Sequence, residues 1–370
     1  MSQLNSSQSS AQNKTKKLYI AGMGMITPVG GNVAMTAAMI AAGVSAYKSS
    51  YFTTKANEKI TMARVPDEMI GEFKGEIDEG SRFNPRHDRV TRIAILALQQ
   101  ACAQSNTEQA APLLLAMPEI KTDSEGLSSF VENLANNLKP WINPVMSRSM
   151  HSGRASGMEA IAFAFEYLYG TQYPYVLVGG SDSHEDSSRL MPLERDGRLL
   201  TTGAADAFAP GEAASFLLLT PYLEMAEQRK GQVIALSAPG IADEAGHLFS
   251  EEHYRGDGLD RAFKKALLNQ PEQSIHSIYS SMNGENHWAK EYGVAFLRNR
   301  KMFKDPVRTE HPADCYGDLG SATATTLIAL AAEHLFNSTK AQAHLVYSSS
   351  DTAKRGAIVV EKLNAAMQIS

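Results

Sequence analysis

Residues 151–168, HSGRASGMEAIAFAFEYL, join a glycine-flanked loop to an apolar helix and place an arginine at the junction. Met158, Ile161, Ala162, Phe165 and Leu168 recur at helical spacing, and Ala160, Phe163 and Ala164 fill much of the remaining face, so the spacing predicts a buried helix. The unsatisfied N–H groups at a helix start make the local field positive. Arg154 adds a permanent charge there, and burying it demands carboxylates within bidentate reach. Other chemistry-bearing groups are scattered. Asn283-Gly284-Glu285-Asn286-His287 is richer in polar groups than a plain turn requires and reads either as a cleft lining or as an exposed connection. Cys102 sits in an apolar helical run and reads as a small core filler. His184-Glu185-Asp186 has one histidine with adjacent acids, the pattern of a solvated turn rather than a metal site. His87-Asp88-Arg89 reads as a helix cap with a surface ion pair, and Arg195-Asp196-Gly197-Arg198 as a turn. GGSDS lacks the Lys-Ser/Thr ending of a phosphate loop.

These groups must be positioned by an alternation of strands and helices. Strand patterns fall on KLYIAGMGMI, PLLLAMP, YPYVLVGGSDS, SFLLLT, QVIALSAPGIA, SIHSIYSSMNG, AHLVYSSS and GAIVVEKL. Helical patterns fall on VAMTAAMIAAG, VTRIAILALQQACAQ after a charged NPRHDR loop, SSFVENLANNLK, the PYLEMAEQRKG that follows SFLLLT, LDRAFKKALLNQ and TATTLIALAAEHLF. That alternation points to an α/β architecture with helices over largely buried sheets. The chain of 370 residues, 43% hydrophobic and 20% charged, can bury a substantial core. A net charge of −5 argues against nucleic acid or an anionic membrane surface as the main partner. Two cysteines make no disulfide framework and favour a reducing, cytoplasmic setting. No stretch approaches the ~20 apolar residues of a membrane span. Residues 1–17, MSQLNSSQSSAQNKTKK, carry no apolar run and read as a disordered tail rather than a signal or anchor.

Several stretches, in order, resemble the β-ketoacyl-acyl-carrier-protein synthases of the thiolase fold: IAGMGMITPVGGN, HDRVTRIAILALQQAC, VLVGGSDSHEDS and AFAPGEAASFLLLTPYLEMAEQRKGQVIA. The resemblance spans nearly everything beyond residue 17. It implies two similar α/β halves, residues 18–231 and 232–370, packed as αβαβα layers, with no cofactor. It also implies where the family's chemistry should sit. The nucleophilic cysteine, at the start of a buried helix that lowers its pKa, falls at Arg154, and a guanidinium cannot accept an acyl chain. The first of two histidines that stabilise charge on the malonyl thioester falls at Asn283, within Ser281-Met282-Asn283-Gly284-Glu285. The second falls at Asp318, with Ala313 in place of a lysine, and Ser348 to Gly356 replaces the family's glycine-rich turn.

The family's loops bring these positions to one pocket, so the resemblance predicts that Arg154 is buried and paired with Asp318, with Glu285 or Asp351 as second candidates. Glu285, His287 and Asp351 are the residues expected to line a binding site. The implied function is a catalytically degenerate synthase-like protein serving as a non-catalytic partner, scaffold or adaptor; some divergent relatives of this kind resemble accessory proteins of bacterial secretion gene clusters. The alternative is an acyl-thioester enzyme of fatty acid or polyketide biosynthesis, either an acyltransferase using Cys315 as a thiol beside His287 or His311 or a decarboxylase that needs no acyl-enzyme. Thiolase folds pair sheet edges, so a homodimer is expected, with a heterodimer with an active synthase as the rival and an acyl carrier protein or a secretion-system protein as further partners.

Overall fold

The computed structural model describes residues 16–71, 73–77, 84–103, 110–119 and 130–368. The expected tail therefore lies outside the described residues up to position 15. Its last two residues are held: Lys17 Nζ lies 2.6 Å from Glu361 Oε2, and Lys16 Nζ sits 4.7 Å from the Tyr169 ring centroid.

Thirteen described strands are β1 (Leu18–Ile26), β2 (Tyr47–Thr53), β3 (Lys59–Ala63), β4 (Ala111–Ala116), β5 (Ile142–Met150), β6 (Val176–Ser183), β7 (Glu212–Thr220), β8 (Gln232–Leu236), β9 (Gly240–Asp243), β10 (Ile275–Ser280), β11 (Phe303–Glu310), β12 (Ala343–Ser349) and β13 (Lys354–Asn364). The described helices of eight residues or more are α1 (Val33–Ala41), α2 (Pro85–Cys102), α3 (Phe130–Asn137), α4 (Ser156–Gly170), α5 (Ser187–Arg195), α6 (Asp257–Ala266), α7 (Asn286–Arg298) and α8 (Thr323–Asn337).

Hydrogen bonding runs β11-β10-β12-β13-β8-β1-β7-β6-β4-β5, with β9 on β13. The order contains one motif twice. In β1-β7-β6-β4-β5 the first two pairings are antiparallel and the last two parallel, and β8-β13-β12-β10-β11 repeats those directions. The two units touch edge to edge over only two residue pairs, Leu18 with Leu236 and Tyr19 with Ala235. This is the pair of similar α/β halves that the resemblance implies.

Helices α4 and α8 lie between the units and touch strands of both. Their approach needs small residues: a Cβ on Gly157 would stand 2.9 Å from Ala324 Cβ. Residues of α4 and α8 share one fully buried cluster with Leu18, Leu217, Leu236 and Ile358, where a Leu→Ala change costs about 2–5 kcal/mol. Helix α2 covers the outer face of the first unit so closely that a Cβ on Gly24 would fall 1.8 Å from Ala97 O. Helix α6 covers the second unit through Leu259, Ala262 and Phe263. Helix, sheet, helices, sheet and helix thus form five layers.

Three expectations need correction. NPRHDR is not a loop before α2, because the Asn84 side chain accepts from the Arg86 and His87 N–H groups and starts the helix at Pro85. The segment after β7 makes only the short 3₁₀ turn Leu223–Met225, since the Glu227 N–H is drawn to Ile20 O alongside β1. QVIALSAPGIA splits into β8 and β9, the break falling at Ser237-Ala238-Pro239, where proline supplies no N–H. Among the described residues no helix is long and apolar enough to cross a membrane.

Candidate functional site

The loop from β5 to α4 turns at Gly153, whose φ of 57° favours glycine and where a Cβ would meet Glu119 Cγ at 2.9 Å. A 3₁₀ turn over Gly153–Ala155 then delivers Arg154 into the interior, where it is 6% exposed. The first N–H groups of this helix are met by neutral acceptors rather than anions: Ser156 Oγ takes the Ser152 N–H at 2.7 Å and Ser350 Oγ takes the Ala155 N–H at 3.3 Å. The guanidinium reaches further. Arg154 Nη1 donates to Asp318 Oδ2 at 2.5 Å, Nη2 to Asp351 Oδ1 at 2.5 Å and Nε to Ser349 O at 2.9 Å. Its face stacks on Trp288, 4.4 Å from the ring centroid. The expected pairing with Asp318 is present, with Asp351 as the second carboxylate.

Glu285 goes elsewhere. It accepts Arg198 Nε at 2.6 Å and Nη2 at 2.8 Å in a bidentate pair, while Arg198 Nη1 donates to Asp351 Oδ2 at 2.7 Å. Asn283 Nδ2 bridges Asp318 Oδ2 at 2.8 Å and Glu285 Oε2 at 3.1 Å, and Trp288 Nε1 donates to the same Glu285 oxygen at 2.9 Å. Arg198, read from sequence as part of a turn, is the second cation of a closed cage. The signal for it was arithmetic: one buried arginine cannot balance the carboxylates of Asp318, Glu285 and Asp351.

The electrostatics follow from this packing. Burial alone would raise the Asp318 carboxyl, but Arg154 and then His184 outweigh it and hold Asp318 well below the usual carboxylate range. Asp351 behaves likewise: burial raises it, and Arg154 and Arg198 together bring it below its ordinary value. Burial works against the Arg154 charge, but Asp318 and Asp351 raise its pKa above the ordinary value. Glu119 sits at the edge of the cage, accepting the Thr352 N–H at 3.1 Å and Oγ1 at 3.0 Å; burial, and then Asp351, raise its pKa.

The remaining sequence-predicted groups are dispersed. Cys315 is 7% exposed and packed in the central core with Tyr279 and Val346, and burial followed by Asp314 raises its thiol above the ordinary value. No hydrogen bond joins it to His287 or His311. His287 packs against Tyr254 and Trp288, with ring centroids at 4.9 and 4.7 Å, and burial lowers its pKa. Its place is beside the cage, not beside the thiol. His184 is no solvated turn residue: it is 8% exposed, with Nε2 3.7 Å from Asp318 Oδ1 and its ring edge-on to Phe208. The neighbouring Glu185 accepts from Arg64 Nε and Tyr51 Oη at 2.6 and 2.8 Å. In His87-Asp88-Arg89, Arg89 reaches inward to Glu212 at 2.5 Å, and Asp88 pairs one turn on with Arg92 at 2.7 Å. A cavity of about 320 Å³ opens beside the cage, lined among others by Glu119, Arg154, His184, Arg198, Asp318 and Asp351.

The strand order and layering are those of a thiolase-like α/β fold. No protein-family model matches the chain, and no curated protein matches it by sequence. Solved structures do match in fold. The ishigamide ketosynthase/chain length factor superposes with a TM-score of 0.72 at 16% identity, over 94% of this chain and 99% of that one. The ketosynthase from module 6 of the bacillaene synthase of Bacillus subtilis 168 gives 0.74 at 15% identity, over 93% and 72%. The ketosynthase ApeO in complex with its chain length factor ApeC, from Xenorhabdus doucetiae, gives 0.69 at 16% identity, over 94% and 98%.

Proposed function

We propose that this chain is a catalytically degenerate ketosynthase-like protein that acts through binding, as the non-catalytic partner or adaptor of another protein. The observation that carries the reading is Arg154, which stands at the entrance of the central helix α4 with two carboxylates fastened to it. A guanidinium holds its proton and offers no nucleophilic lone pair, so no acyl-enzyme forms there. Asn283 and Asp318, in the positions that resemble the family's histidines, are spent on the cage. A function built on the same scaffold must then be argued from surfaces and pockets.

Two of the structural neighbours pair a ketosynthase with a chain length factor, and a third solved structure that matches in fold holds a type II polyketide synthase acyl-carrier protein in complex with its ketosynthase, which supports a two-subunit assembly or carrier-protein contact for this chain. The sheet edges support the same reading. Edge strand β11 carries Lys304, Asp305 and Pro306, which discourage strand addition; β5 at the other end carries Pro144 and Arg148 but presents Val145, 80% exposed, as an apolar contact. Strand β5 is the edge through which a second copy or an active synthase would join. A secretion-system protein is the further partner that a pull-down distinguishes from these.

Incubation with malonyl- and acyl-loaded carrier protein tests the reading. The expected result is no carbon dioxide release and no acyl adduct on the intact mass, with light scattering reporting a dimer or, if a different subunit is needed, a monomer. Turnover that Cys315→Ala abolishes would overturn it in favour of the acyl-thioester enzyme.

A further inference from the structure

We infer that the cavity beside the cage is a binding site for a neutral carbonyl compound, an amide or ester with a short apolar body, held without covalent chemistry. The inference rests on the non-catalytic reading of the site and adds a ligand class to it.

The cavity has the make-up of a ligand pocket: an apolar rim from Pro192, Leu193, Phe208 and Phe249, and a polar floor from the cage. Phe249 is 49% exposed at this rim, an orientation that burial in the core does not explain. The floor has hydrogen-bond donors left over. Of the five N–H donors of a guanidinium, Arg154 uses three, to Ser349, Asp318 and Asp351, which leaves two. Arg198 uses four, which leaves one. His184 lines the same cavity, 8% exposed, with Nε2 facing Asp318 Oδ1 at 3.7 Å and Nδ1 without a hydrogen-bond partner. Buried donors without acceptors are costly, and an occupant that brings an acceptor relieves that cost.

Charge then selects among acceptors. The lining carries four arginines and five carboxyl groups, so it holds no surplus of positive charge for an anion to neutralise. Both carboxylates that touch Arg154 are already ion-paired, and a carboxylate or phosphate ligand would face Asp318 and Asp351 across the cavity. A carbonyl oxygen accepts from the same donors without that repulsion, while the chain attached to it covers Leu193 and Phe249.

Three probes of one length separate the possibilities: hexanamide, hexanoate and hexylammonium, titrated against the full chain with ligand-observed NMR as the readout. The expected result is saturable binding of hexanamide, at least about tenfold tighter than either charged probe, weakened in Phe249→Ala and lost in Leu193→Trp, which fills the cavity. Equal or tighter binding of hexanoate or of hexylammonium overturns the inference, as does hexanamide binding that both substitutions leave unchanged, or its absence. If Leu193→Trp fails to fold, Phe249→Ala at the exposed rim decides alone. None of these results bears on carrier-protein turnover, so the non-catalytic reading stands or falls separately.

Discussion

Truncating Arg154 to alanine removes the cation that two carboxylates share. Asp318 is 4% exposed and keeps only neutral donors, the Gly320 N–H and Asn283 Nδ2, together with His184 at 3.7 Å. Asp351 is less affected, because Arg198 still holds it. Breaking one partner out of a buried pair costs about 3–5 kcal/mol, far more than the net worth of the pair. With an unfolding entropy of about 2.1 cal/mol/K per residue over 370 residues, and cooperative unfolding, that loss lowers Tm by roughly 4–6 °C. The penalty is an uncompensated carboxylate, which fixes its pH dependence. In the wild type the Asp318 pKa lies below its unfolded value, so its contribution is present above about pH 4 and is lost as pH falls through the folded value. Without Arg154 burial is less opposed, the carboxyl protonates at higher pH, and the gap between variant and wild type narrows from about pH 8 to about pH 5. Urea titrations of Arg154→Ala, Asp318→Leu and the double variant Arg154→Ala/Asp318→Leu measure both effects. The double variant is expected to lose less than the sum of its parts. Equal stability of Arg154→Ala and wild type, strict additivity in the cycle, or a gap that does not change with pH would refute the reasoning.

Other outcomes follow from single environments. His344 is fully buried and stacked on His334 at 4.9 Å, and burial, ahead of the neighbouring His334, brings its pKa down to about 3. Its unfolded value is near 6.5, so the folded state loses stability as pH falls from about 6.5 toward about 3. Urea midpoints at pH 7 and pH 5 should therefore differ less in His344→Leu than in wild type, and an unchanged difference would contradict this. Both cysteines are buried, with Cys102 pushed up to about 12, so a thiol reagent should label neither in the native chain and both in urea; rapid native labelling of Cys315 would be the contrary result. Gly24→Ala forces a Cβ to 1.8 Å from Ala97 O, and separating β1 from α2 should cost more than about 4 kcal/mol, seen as lost soluble yield or Tm.

The parts of this protein legible in its sequence are those where a single chain segment meets one environment throughout. Helix α4 announces its burial because its apolar residues recur at 3.6-residue spacing, and β6 and β7 because sheets covered on both faces leave no polar alternation. Strands β5 and β11, INPVMSRSM and FKDPVRTE, carry no such signal, because edge strands face solvent and are made by their neighbours' hydrogen bonds. The site divides the same way. An arginine at the start of a buried helix requires acidic partners wherever the chain goes, so Arg154 and its need for carboxylates could be read in advance, while Asp318 as the partner came from the resemblance to the synthases. Which cation would take Glu285 could not: Arg198 lies 87 residues from Glu285 and 153 from Asp351, and no local pattern encodes a contact of that separation. Only the meeting of the two α/β halves, each bringing its own loops to the mouths of α4 and α8, brings those charges within 3 Å and places His184 against Asp318. Periodicity records what a residue is shielded from; the folded chain alone decides what it is shielded with.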